Sequence, residues 1–129
     1  MKPELTLLVW ATALAVVQVL VAVTGAFTQV GLIKLVGNRD DMPKFIGWVG
    51  RAERAHLNVL QSLVLFAVLV LVAVVANRTN GVTLLGAQLF FWGRVAYAAI
   101  YLAGLPWLRT LSWFVSVIGL VLIFLQLVK

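Results

Sequence analysis

Arg51, Arg54, Asn58 and Gln61 recur at intervals of three and four residues in one apolar stretch, and Arg94, Tyr97 and Tyr101 do the same in a later one. On a helix, each spacing puts its members on a single face. Arg109, Thr110 and Trp113 follow just after Gly104, Leu105 and Pro106. A guanidinium is permanently charged and presents a planar fork of N–H donors, a shape suited to carboxylates and other anions. The phenols and amides beside these arginines add neutral donors and acceptors. A charge near the centre of a bilayer costs roughly 2.5–3.5 kcal/mol, so an arginine there faces a bundle interior or a wet cavity and marks a functional site. Glu4, Asp40, Asp41 and Glu53 are the only acids, and none lies deep in an apolar segment. Arg94 therefore calls for an anionic ligand or backbone carbonyls.

Several of these residues also have plainer explanations. Asn58 and Gln61 alone would serve as hydrogen-bonding glue between helices. Tyr101 sits where interfacial aromatics collect, and arginines at segment ends such as Arg51, Arg54 and Arg109 can extend to headgroups. Arg94 is too deep for that. His56 falls on the opposite side of its helix from Arg51, and with no second His and no Cys there is no metal site to build. Glu53 reads as a structural partner for arginines.

The elements that must position these groups are helices in a membrane. The 129-residue chain is 64% hydrophobic, with a mean hydropathy of +1.10. It reads as one all-α integral membrane domain, residues 1–129, with spans at about 5–35, 48–76, 82–103 and 107–128. The first exceeds the roughly 20 residues a bilayer needs, so it should tilt or protrude; lacking a small-residue cleavage site, it reads as a retained helix and not a signal peptide. A polar loop from Gly37 to Pro43, including Asp41, follows it. Short second and third connections force antiparallel neighbours, giving an up-down four-transmembrane-helix bundle. Lys34, Arg39, Lys44, Arg51, Arg54 and Arg109 collect on one side, which makes the first and third loops cytoplasmic and puts both termini opposite. The net charge of +6 points to anionic lipid headgroups. No basic run with interleaved aromatics suggests nucleic acid.

The string Arg51-Ala52-Glu53-Arg54-Ala55-His56-Leu57-Asn58-Val59-Leu60-Gln61 resembles the signature of the MAPEG family, the membrane-associated proteins in eicosanoid and glutathione metabolism. Gly93-Arg94-Val95-Ala96-Tyr97-Ala98-Ala99-Ile100-Tyr101, followed by Pro106 and Arg109, resembles a second family pattern. The likeness covers nearly the whole chain and is nearest to the shorter bacterial branch. It implies a homotrimer in the bacterial inner membrane, with glutathione bound between adjacent subunits near the cytoplasmic side. Arg54, Asn58, Arg94, Tyr97 and Tyr101 match binding-face positions. Arg109 matches the arginine assigned to thiolate activation and is the candidate catalytic residue. Arg51, Gln61, Thr110 and Trp113 join the candidate glutathione site as members of the same polar layer. The chain departs from the pattern where Gln61 replaces a Glu, Leu57 an Arg and Trp113 a Tyr, and where the first span has no arginine before Lys34.

Two functions are compatible with these residues. One is a glutathione-dependent transferase or peroxidase acting on lipophilic electrophiles delivered by the bilayer. The other is a non-catalytic membrane protein that binds lipid or a partner subunit through the same arginines. A transporter fits less well, since repeated discontinuous spans and intramembrane acids are missing.

Overall fold

A computed structural model describes residues 1–40 and 42–129; Asp41, part of the expected polar loop, lies outside the described residues. The described chain is helical: α1 (Pro3–Val30), α2 (Leu32–Val36), α3 (Gly47–Val75), α4 (Gly81–Ala103) and α5 (Pro106–Val128). Proline opens both α1 and α5, where its missing N–H costs no intrahelical bond. The apolar stretch read as one span over 5–35 is interrupted at Gly31, whose φ of 81° ends α1 and starts the single turn and a half of α2.

Side chains fix the remaining ends. Gln29 on α1 both donates to the carbonyl of Ile46 at 2.9 Å and accepts from its N–H at 3.2 Å. That clamp holds the chain against α1 immediately before α3 begins. Asn80 caps α4, its side-chain oxygen accepting from the Val82 and Thr83 N–H groups, while Thr83 accepts from the Asn80 N–H. Gly104, at φ 80°, closes α4 in the left-handed conformation.

The α4–α5 pair packs through small residues. A Cβ at Gly86 would lie 2.6 Å from the Gly119 carbonyl oxygen, and one at Gly93 would lie 3.0 Å from the Ser116 nitrogen. The two backbones touch because no side chain separates them, the usual device for helices that cannot use water to drive association. Beyond them, Phe66 of α3 stacks on Phe90 of α4 with ring centroids 4.1 Å apart, within a core completed by Ala11, Val70, Ala87, Leu120 and Ile123.

Three helices, α1, α3 and α5, are long and apolar enough to cross a membrane. Their outer faces expose Leu20, Val64, Leu65, Phe114 and Phe124, as expected where the surrounding solvent is hydrocarbon. α4 is not one of the three; Gln88, Arg94, Tyr97 and Tyr101 dilute its apolarity. Like α3, it touches each of the other three long helices. The buried charge is thus carried on an element flanked by neighbours on several sides.

Candidate functional site

Arg94 is 1% exposed. Its terminal guanidinium nitrogen donates to Asn58 Oδ1 at 2.6 Å, drawing α4 to α3. Its guanidinium carbon also lies 5.0 Å from the Tyr97 ring centroid and 5.7 Å from that of Phe90, within reach of cation–π attraction. The Nε–H of Arg94 has no hydrogen-bond partner. Helical spacing explains the set: Phe90, Arg94, Tyr97 and Tyr101 follow one another at intervals of three or four along α4.

Tyr101 is held by two more arginines. Arg54 Nε donates to its hydroxyl at 3.1 Å, and the Arg109 guanidinium carbon lies 4.7 Å from its ring centroid. Tyr97 meets the same ring edge-on, with centroids 5.4 Å apart. A phenol accepting from Arg54 still has its own proton to donate. Beside these groups opens a cavity of about 270 Å³ lined by Asn58, Tyr97, Tyr101, Arg109, Thr110 and Trp113. The Thr110 hydroxyl donates back to the Pro106 carbonyl at 3.1 Å, so its oxygen lone pairs remain for a ligand. α3, α4 and α5 each contribute to the wall.

The other expected residues are placed differently. Arg51 Nε donates to the Leu102 carbonyl at 3.1 Å, one of the last-turn carbonyls of α4 that lack a helical partner. Like Arg54 and Arg94, it does not line the cavity; Arg54 borders a separate opening with Phe45, Gly50 and Glu53. Gln61 continues the Asn58 stripe on α3 but is exposed and also stays out of the cavity. His56 and Glu53 face a different opening, of about 330 Å³, between α1, α2 and α3. Phe90 is a site residue that the sequence reading missed, though its position one turn before Arg94 was available to find it. Gln18 was missed as well: it is buried on α1, and no periodicity in that uniformly apolar helix singles it out.

The chemistry on offer is anion recognition. Among the described residues, the hydrogen-bond partners of Arg51, Arg54 and Arg94 are a carbonyl, a phenol and an amide oxygen, none of them charged, and no described Asp or Glu lines the cavity. Such a set of cations suits an anion from outside the described residues. The MAPEG family profile matches residues 5–129. The chain belongs to the MAPEG family. As a MAPEG protein with three apolar helices of membrane-spanning length, it is an integral membrane protein. Neither a curated protein nor a solved structure matches it.

Proposed function

We propose that this MAPEG protein binds glutathione in the cavity between α3, α4 and α5 and uses it against lipophilic electrophiles. The observation that carries the reading is the convergence of Arg54, Arg94 and Arg109 on Asn58 and the Tyr97–Tyr101 pair, with no carboxylate among their partners in the described residues. Glutathione would supply a thiol nucleophile and two carboxylates. The Arg94 guanidinium lies behind the wall as a reserve of buried positive charge, while the Tyr101 hydroxyl, polarised by the Arg54 Nε–H it accepts from, offers a donor in the wall. Arg109, half-exposed on the first turn of α5, is the cation placed to stabilise a thiolate, which is the nucleophilic form. Thr110 and Asn58 orient the peptide portion.

The site is further proposed to be completed by a second copy in a homotrimer of four-span bundles, with the arginine-bearing end cytoplasmic. At about 270 Å³ the cavity is below the usual 300–1,000 Å³ of a small-molecule site, which supports an outer wall supplied by a neighbour. Gln61, exposed at membrane depth on the same stripe, would find its partner there.

Calorimetric titration of the purified protein in detergent with glutathione tests the reading directly, with S-methyl glutathione as the thiol-free control. Binding together with glutathione consumption in the presence of an activated aryl halide supports the enzyme. A second reading is favoured by Gln61, which puts a neutral amide where the family pattern has an acid: the same arginines would hold an anionic lipid headgroup. Absence of glutathione binding, with saturable binding of a short-chain anionic lipid to the detergent-solubilised protein that Arg94→Met abolishes, would establish that alternative. Native mass spectrometry in mild detergent should show three copies; a folded, stable monomer defeats the shared site. A cysteine at Asn38 should be shielded from an impermeant thiol reagent in intact cells, and one at Asn80 labelled.

A further inference from the structure

We propose that a second site, between α1, α3 and α4, takes a neutral lipophilic molecule carrying a single hydrogen-bond donor such as a hydroxyl. The slot measures about 210 Å³. Ala52 and Ala55 on α3 and Ala98 and Ala99 on α4 form two of its walls, and Gln18 lies in the third, among the aliphatic side chains of α1. The space exists because alanines stand where three helices converge. One core away, the same α3 and α4 close completely through Phe66 and Phe90.

The wall chemistry narrows the occupant. An apolar cavity of roughly 150 Å³ stays dry and holds benzene, and this slot is larger. Gln18 is 9% exposed, and its Oε1 is buried with no hydrogen-bond partner. A buried carbonyl oxygen left unpaired is costly, so an occupant bearing a donor gains over one that lacks it. Water could reach Oε1 but needs two to four polar partners to be stable in a cavity, and Gln18 is the only polar side chain in this wall. No charged side chain lines the slot, so an ionised carboxylate or an ammonium would be buried without compensation. The ligand is therefore neutral. Val17 and Ala99, both exposed, stand at the surface between α1 and α4, which gives a route in from the lipid.

This site is distinct from the arginine cavity. Ala55 packs with Tyr97 and Tyr101 as one buried cluster; the tyrosines face the arginine cavity and Ala55 faces the slot. The two spaces lie back to back across that cluster and share no lining residue.

The test is photolabelling of the full chain in saturated phosphatidylcholine nanodiscs. The two probes are a diazirine-bearing ten-carbon alkanol and the diazirine alkane of the same length without the hydroxyl. The alkanol should label peptides containing Ala52–Ala55 and Ala98–Leu102 roughly three- to tenfold more than the alkane, the range expected for one net hydrogen bond. Gln18→Leu should make the two probes equal, and Ala99→Leu should suppress both. Saturating glutathione should leave the labelling unchanged, because the sites are separate whether or not glutathione binds. Equal labelling by the two probes in the wild-type protein overturns the proposal, and so does labelling confined to α5. No labelling of the slot by either probe also overturns it, and would indicate a slot filled by a neighbouring subunit. The two-probe comparison on the wild-type protein decides the matter even if the Gln18 variant does not fold.

Discussion

The two ends of the α3–α4–α5 assembly solve the problem of polar groups in opposite ways. At the Asn80 end the backbones of α4 and α5 touch through Gly86 and Gly119. The buried carboxylate of Glu4, 3% exposed, accepts from the Thr83 hydroxyl at 3.0 Å, and Asn80 satisfies the helix start. At the Arg109 end the same helices carry a buried guanidinium with a spare N–H, two tyrosines flanked by arginines, and an open cavity. The change happens within one turn, at Phe90. One face of that ring stacks on Phe66, and the Arg94 guanidinium lies 5.7 Å from its centroid. A closed half, in which the Glu4 carboxylate meets only the Thr83 hydroxyl, thus supports a half with a spare buried N–H and an open cavity, and the half with open space is the one that can reward a ligand.

Breaking the Arg94–Asn58 bond should have the largest effect on stability. Among the described residues, Asn58 Oδ1 is the only oxygen that accepts from Arg94. Asn58→Leu leaves a buried cation without it, a situation that costs about 3–5 kcal/mol. Chemical denaturation in detergent should show that loss. Adding Arg94→Met should recover most of it, because replacing a buried polar set by apolar residues of similar volume is often neutral or stabilising. The double variant should at the same time bind neither glutathione nor anionic lipid. If the two substitutions instead add independently, the bond does not couple α3 to α4 and the contrast between the halves weakens.

The closed half should resist insertion more than the open half. Gly86→Val pushes atoms into the Gly119 carbonyl, where even a Cβ would lie at 2.6 Å. Overpacking of that kind costs about 1–3 kcal/mol. Ala99→Leu places more atoms at the exposed mouth of the alanine slot and should change stability by no more than about 0.5 kcal/mol. Thermal unfolding of both variants checks the pair, and equal losses would show that the slot is not open space.

The parts of this arrangement legible in the sequence are those written as periodicity or punctuation. Arg94, Tyr97 and Tyr101 share one face because of their spacing, and all three are buried together. Pro106 and Gly104 mark the α4–α5 break on sight. The hidden parts depend on which helix lies beside which. Arg51 belongs to the same stripe as Arg54, yet it is drawn off to the Leu102 carbonyl; nothing local reveals that demand until α3 is set against the end of α4. α1 is apolar nearly all round, so its sequence has no phase from which to pick out Gln18 or Glu4 as inward-facing. Gly31 looked like one more glycine in a membrane helix, where glycine is common, and only its φ of 81° shows it as a break.

Arg109 should show a small stability effect and the most informative functional one. It is half-exposed, and its contact in the structure is with the face of Tyr101 at 4.7 Å. A cation–π contact at such a site contributes about 0.5–1 kcal/mol, so Arg109→Ala should unfold within about 1 kcal/mol of the wild type and keep its assembly state. If Arg109 stabilises a thiolate, the substitution removes an interaction that matters as charge develops on sulfur. Glutathione affinity should then fall little, while kcat and kcat/KM fall together by a large and similar factor, the mark of an interaction made mainly in the transition state. The Arg54→Ala variant, which loses the bond to the Tyr101 hydroxyl, supplies the contrast, since a residue that positions the ligand should weaken affinity instead. A kinetic profile in which Arg109→Ala raises KM alone would move Arg109 from thiolate stabilisation to simple anion binding, leaving the arginine-rich half as a binding site without a catalytic cation.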